Sequence, residues 1–305
     1  MTAAAADTLP CLLVEAFSDG PCAGNGAAVV RLPQPASAAW MGALARSLNQ
    51  SETAFLLPAG EGLWSLRWFT PSCEVDLCGH ATLAAALALG HWGLARQEQP
   101  LGFLSRSGRL MACLETAARP RATIQLPRAP LLPIATPADL AALVHQRLAV
   151  AVERCWGSAI GYTVALLPSA APLAALPSLA DALTGTLRPG LVRMQPLAPE
   201  QAPRVAGTPA AYQLRFFAPG LGIPEDPVTG SAHALVAPYW LERLGGDLVR
   251  GWQCSDRPGG MVCRALSSGM IALTGSGHVL WDGCLRAQPD VCGASLEAAG
   301  WRSAG

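Results

Sequence analysis

A short peptide that recurs, each time ahead of an apolar helix, constrains this chain more than any other feature. Arg67-Trp68-Phe69-Thr70-Pro71 returns as Arg215-Phe216-Phe217-Ala218-Pro219. Cys78-Gly79-His80-Ala81 follows the first copy and runs into the apolar stretch Thr82–Leu89. Thr229-Gly230-Ser231-Ala232 follows the second and runs into His233–Leu241. The step from Pro219 to Gly230 is 11 residues against 8 from Pro71 to Gly79, so the second copy carries an insertion of 3. Self-similarity over this distance marks a repeated structural unit. Thr82–Leu89 is apolar on every face, and such a helix must be enclosed by protein. The rest of the chain reads mostly as strands, so the simplest enclosure is a curled sheet.

Two copies then predict an α+β fold. It has two pseudo-symmetric half-domains, each a barrel-like, mostly antiparallel sheet around a central buried helix. The halves are placed at 1–120 and 121–287, with the tail 288–305 packing on the first half and the active site in the cleft between. Strands are expected at Cys11–Phe17, Ala27–Leu32, Thr53–Leu57, Trp64–Thr70, Met111–Thr116 and Ala122–Leu126. In the second half they are expected at Tyr162–Leu167, Leu191–Gln195, Ala211–Ala218, Gly260–Leu266, Met270–Gly275 and His278–Arg286. Helical spacing predicts further helices at Ala38–Leu48 and Ala138–Arg154, with Pro-rich Arg128–Ala138 as a connection.

Composition narrows the function classes. Hydrophobic residues make up 51% of the chain and charged ones 14%, which excludes disordered and coiled-coil classes. Acidic and basic residues balance at 21 each, with no basic stripe that would point to nucleic acid or a membrane surface. No run of about 18 apolar residues lacks a polar or Pro break, so no membrane span is expected. The start, Met1–Thr8, lacks a basic region ahead of an apolar one, so no signal peptide is expected. Ten cysteines without a C-x-x-C pair suit a reducing cytoplasm better than a disulfide scaffold or a zinc site.

Five segments could carry chemistry. Glu52 enters the apolar strand Ala54–Leu57. It is either an exposed strand end or a partly buried carboxylate whose pKa burial raises toward proton-shuttle range. His80 falls in the first turn of the buried helix, where the positive helix end favours the neutral imidazole. It either relays protons or is satisfied by local backbone. Cys78, at the same helix end, is a base or nucleophile, or a small filler beside a Gly turn. Glu225 and Asp226 form a charged loop feeding the second helix, where Thr229 or Ser231 can cap. Gly24-Asn25-Gly26 reads as a hairpin turn, or as an amide offered to a ligand. Gln253–Gly260 reads as a surface turn. The Gly-led helix ends at Gly79 and Gly230 offer free N–H groups and positive dipole to a small carboxylate.

Taken together these segments resemble the PhzF-like phenazine-biosynthesis family, within the diaminopimelate-epimerase fold. The resemblance is carried by Ala23-Gly24-Asn25, Ser51-Glu52-Thr53, Phe69-Thr70-Pro71, Cys78–Thr82, Glu225–His233 and Gln253–Gly260, and runs from about Leu12 to Arg286. Pro258 departs from the pattern of the last motif. The resemblance implies a homodimeric isomerase that needs no metal and no organic cofactor, in keeping with the cytoplasm that the cysteines suggest and the small carboxylate-bearing substrate that the helix ends suggest. It implies catalytic roles for Glu52, with Glu as general acid/base, and for His80 and Asp226. It implies substrate contacts at Asn25, Gly79, Gly230 and Ser231. The fold also hosts epimerases with two opposed thiols, whose positions here hold Cys78 and Thr229. Thr is a far poorer base than a thiolate, so a carboxylate mechanism is expected. The alternatives are a thiol-based epimerase using Cys78 and a non-catalytic small-molecule binding protein.

Overall fold

The computed structural model describes residues 8–175, 190–219, 223–290 and 300–302. The chain divides into two units, one formed by Met1–Gln125 with Gly275–Gly305, the other by Leu126–Thr274. Both are α+β, and each wraps a sheet on a helix.

Unit 1 runs β1 (Leu9–Ala16), β2 (Asn25–Arg31), α1 (Ala38–Leu48), β3 (Glu52–Gly60), β4 (Leu63–Phe69), β5 (Glu74–Val75), α2 (Gly79–His91), β6 (Pro100–Ser105), β7 (Gly108–Leu114) and β8 (Arg121–Pro127). Strands β1, β2, β3, β4, β6, β7 and β8 pair in that order, and the late strand β19 (Met270–Leu285) pairs with both β8 and β1 to close the ring. Inside lies α2, buried without a break from Gly79 to Leu89 and touching β1, β2, β3 and β7. Truncating Leu83 or Leu87 to Ala inside such an enclosure costs about 2–5 kcal/mol. The opposite side of the sheet is covered by α1. Ser37 caps this helix by accepting from Trp40 N at 3.2 Å, and Asn49 ends it in the left-handed region. Met41 and Ala45 pack there with Phe55, Phe69 and Trp301, whose Nε1 donates to the Ala36 carbonyl at 3.1 Å.

Unit 2 runs β9 (Leu131–Ile134), α3 (Ala138–Leu148), β10 (Arg154–Ser158), β11 (Tyr162–Leu166), β12 (Gly190–Pro196), β13 (Arg204–Val205), β14 (Thr208–Pro209), β15 (Tyr212–Ala218), β16 (Ile223–Asp226), α4 (Gly230–Leu244), β17 (Leu248–Gln253) and β18 (Gly259–Ala265). Helix α4 is buried on every face from Ala232 to Ala237 and again at Trp240 and Leu241, and touches β17 and β18. The pairing repeats that of unit 1 strand for strand. Parallel β2–β3 corresponds to β11–β12, antiparallel β3–β4 to β12–β15, and parallel β4–β6 to β15–β17. The repeated peptide thus lies on β4 and β15, and its arginine plays the same part twice. Arg67 holds Glu74 with two bonds of 2.7 Å, and Arg215 holds Glu225 with two of 2.6 Å.

Several local expectations change. The Arg128–Ala138 connection contains β9. Helix α3 ends at Leu148 because Ala149 turns left-handed at φ 54, and the chain then runs without helix or strand to β10 at Arg154. The two strands expected over Met270–Arg286 are the single β19. Strands β6 and β17 are not among the expected strands because glycines interrupt their apolar pattern. A Cβ on Gly251 would lie 2.4 Å from Tyr212 Oη, so close packing dictates that interruption.

Candidate active site

Three segments of unit 1 bring Asn25, Glu52, Cys78 and His80 together. Gly24 has φ +70, and a Cβ there would lie 2.4 Å from the Ala16 carbonyl oxygen. Only glycine lets β2 begin so close to β1. Asn25 therefore opens β2 fully buried. The parallel register pairs Ala27 with Glu52 and sets the start of β3 beside it. Helix α2 begins at Gly79, with Cys78 as its N-cap, and delivers His80 in the first turn.

His80 is the hub. Its Nδ1 lies 3.0 Å from Asn25 Nδ2 and 3.5 Å from Cys78 Sγ, and its Nε2 lies 3.0 Å from Glu52 Oε2. Glu52 opens β3 yet is 6% exposed, and His80 is 3% exposed, so the reading of Glu52 as an exposed strand end is excluded. The close approach of Nε2 to Oε2 lacks the alignment of a hydrogen bond. Glu52 Oε2 is thus a buried oxygen with no hydrogen-bond partner among the described residues. A buried lone pair of this kind is costly unless something occupies it.

The charges at this hub differ from the helix-dipole expectation. Burial disfavours the imidazolium, but Cys78 and Glu52 outweigh it and hold the His80 pKa well above its usual value. Burial and then Glu52 push the Cys78 thiol up to about 11, against the lowering pull of His80. The thiol therefore stays protonated at neutral pH, and the helix end does not make it a thiolate. Ser51 Oγ donates to Asn25 Oδ1 at 2.9 Å, which turns Nδ2 toward Nδ1. That orientation suits a neutral ring with its proton on Nε2. Turning the amide over offers Oδ1 to a protonated Nδ1 instead, and the Ser51 hydroxyl, which also accepts, takes Nδ2. The Asn25–Ser51 pair can serve both protonation states.

Unit 2 holds a separate buried cluster. Thr229 Oγ1 donates to Asp226 Oδ2 at 2.5 Å, and Gln253 Oε1 accepts from Thr229 N at 2.7 Å. Gln253 Nε2 donates to the Asp226 carbonyl at 2.5 Å. Thr229 is the N-cap residue of α4, yet its hydroxyl goes to Asp226 and makes no cap bond. Ser231 does not cap either: its Oγ lies 3.2 Å from Tyr162 Oη. Glu225, read with Asp226 as one charged loop, is instead the partner of Arg215.

Gln253 corrects the surface-turn reading, because it is completely buried. Strand β17 alternates between half-buried and buried positions, with Val249, Gly251 and Gln253 inward, and that period is the signal a sequence reading could use. Ser51 and Tyr162 are further partners of site residues that the motifs alone do not reveal. Among the described residues, Glu52, Cys78 and His80 form a group whose ligand atoms could hold a metal ion. No helix among them is long and apolar enough to cross a membrane.

Comparison with known proteins gives a consistent picture. The family profile described as phenazine biosynthesis-like protein (PhzC-PhzF) matches residues 14–266. An uncharacterized isomerase of Pseudomonas aeruginosa is 35% identical over 276 residues, covering 90% of this chain and 97% of that protein. A human phenazine biosynthesis-like domain-containing protein is 33% identical, covering 92% and 99%. A PhzF-family crystal structure from Enterococcus faecalis superposes with TM-score 0.78 at 29% identity, covering 91% and 99%. A hydroxyproline epimerase from Agrobacterium vitis shares the fold, with TM-score 0.61 at 14% identity, covering 92% of each chain.

Proposed function

The chain belongs to the phenazine biosynthesis-like family, and from that premise we propose that it is a cofactor-independent isomerase in which Glu52 moves a proton within one small carboxylate-bearing molecule. The observation that carries this reading is Glu52 Oε2, a buried carboxylate oxygen with an unused lone pair beside a histidine of raised pKa. Glu52 takes a proton from a carbon activated by a neighbouring unsaturated or carboxyl group. It then returns that proton to another carbon of the same molecule, so no net charge or redox change results.

His80 serves as the adjoining proton store and steadies the Glu52 carboxylate through its Nε2. Asn25 and Ser51 hold the ring through either protonation state. The free N–H groups at Gly79 meet the negative charge that develops as the C–H bond breaks, usually the largest electrostatic contribution. In unit 2, the open N-terminus of α4 at Gly230, together with Ser231, suits a carboxylate, and Asp226 suits an amino or hydroxyl group. The thiol-based alternative is disfavoured because Cys78 holds its proton and Thr229 spends its hydroxyl on Asp226. The assembly proposed is a cytoplasmic homodimer. Supporting it, Leu280 and Trp281 of β19 stand exposed at 46% and 45%.

The test is a screen of small unsaturated, amino and hydroxy acids in heavy water, read by NMR and mass spectrometry. An isomerase incorporates deuterium at carbon and yields a rearranged product. A ligand that binds without any carbon-bound exchange would instead identify a binding protein.

A further inference from the structure

Proton transfer through Glu52 and His80 leaves one buried nucleophile of the hub unused, namely Cys78. Its sulfur, one oxygen of Glu52 and one ring nitrogen of His80 all lie within 4.8 Å of one another, and all three side chains are buried. Carboxylate, thiol and imidazole are the donor mix that zinc accepts, at bond lengths of about 2.0–2.3 Å. Ligand atoms around one tetrahedral ion at those lengths stand roughly 3–4 Å apart. Here Nε2 is 3.0 Å from Oε2 and 4.0 Å from Sγ. An independent observation points to a ligand in the same place, since Oε2 is buried and lacks a hydrogen-bond partner among the described residues. The other ring nitrogen, Nδ1, lies 3.0 Å from the Asn25 amide, which on turning over offers Oδ1 to the Nδ1–H of a metal-bound histidine.

We propose that Glu52, Cys78 and His80 bind one soft divalent cation of the zinc type, and that the bound ion blocks proton transfer. On binding, the Cys78 S–H and His80 Nε2–H bonds break, sulfur–metal and nitrogen–metal bonds form, and both protons leave to the buffer. No oxidant or reductant is involved. The fourth coordination position stays open to water or to a substrate carboxylate. With the metal in place, the Glu52 lone pair is engaged and can no longer accept a proton from carbon. The inhibition rests on the assignment of Glu52 as proton carrier, whereas the binding does not.

Cobalt(II) added to the metal-free full chain is the probe, because thiolate ligation gives it a near-ultraviolet charge-transfer band. One equivalent that produces this band, is displaced by zinc and loses the band in Cys78→Ser supports the site. Glu52→Gln and His80→Asn should each weaken cobalt binding by about 10-fold or more. No band in the wild-type chain overturns the proposal, whatever the variants do. A band that survives Cys78→Ser also overturns it, by placing the metal on another thiol. Zinc should also abolish carbon-bound exchange, reversibly on chelation. A normal cobalt band with undiminished exchange would leave the metal site standing and remove Glu52 as the carrier. Exchange that depends on Glu52, without any cobalt band, would do the reverse.

Discussion

Glu52 Oε2 and His80 Nε2 sit 3.0 Å apart, both buried, without the alignment of a hydrogen bond. A structural ion pair in an apolar interior is stable only with good geometry and further hydrogen bonds. This contact is close in distance and poor in angle, so it is better suited to exchanging partners than to holding a fold.

Glu52→Gln follows from that contact. The amide keeps the shape of the side chain and removes the base. Loss of a general acid/base typically costs about 10²–10⁴-fold in rate, and carbon-bound exchange should fall by at least that much. Ligand binding measured by calorimetry should survive. Undiminished exchange in this variant would transfer the role of carrier to another group.

Cys78 predicts a pattern of thiol reactivity. Burial and Glu52 push its pKa up to about 11, while Cys22, Cys73 and Cys284 are exposed. Alkylation followed by peptide mass spectrometry at pH 8 should label the exposed three first and Cys78 far more slowly. The Cys78 rate should keep rising toward pH 11, because only the thiolate reacts. Rapid labelling of Cys78 at neutral pH would restore the thiol-based epimerase as the leading mechanism.

The enclosure of α2 is legible in the sequence because an apolar surface on every face has one physical solution, burial, and that of α4 is legible through the repeated peptide ahead of it. The motif residues Asn25, Glu52, Cys78 and His80 are legible as types but not as one hub. Their meeting depends on the parallel β2–β3 register, which no local spacing encodes. The charge state of His80 escapes the sequence for a related reason. A helix end is visible there, whereas the Glu52 and Cys78 neighbours that outweigh it come from the fold. Gln253 reads as part of a turn because Gly251 hides the alternation of β17, and that glycine exists to admit Tyr212 and His233.

His233 gives the acid limb of stability. It is fully buried on α4, accepts or donates at Nδ1 to Tyr212 Oη at 2.8 Å, and burial lowers its pKa to about 3. Above its ordinary value of 6.5 the ring is neutral in both folded and unfolded chains, so it adds no pH dependence. Below that value the unfolded chain takes a proton that the folded chain refuses. Stability is therefore lost as pH falls from 6.5 toward 3, at up to about 1.4 kcal/mol per pH unit. Urea unfolding across this window should show the loss, and His233→Gln should flatten it. An unchanged slope in the variant would assign acid sensitivity to the carboxylates.

At Arg193 the second copy of the fold departs from the first. In unit 1, Phe55 stands opposite Arg67; in unit 2, Arg193 stands opposite Arg215. Phe55 packs in the cluster under α1, whereas Arg193 is completely buried and none of its guanidinium nitrogens has a hydrogen-bond partner among the described residues. Burial, and then the charge of Arg215, lowers its pKa to about 10. Its guanidinium carbon lies 5.9 Å from the centre of the Phe217 ring, a contact worth about 0.5–2 kcal/mol. Desolvating an unpaired cation costs several kcal/mol, so the ring does not offset it. Arg193→Met keeps much of the volume, removes the charge and brings the position closer to Phe55 in character. Its urea midpoint should rise, with about 1–4 kcal/mol of added stability. A fall of similar size would show that the guanidinium meets a counter-charge in the folded chain, and Arg193→Lys would then recover part of the loss.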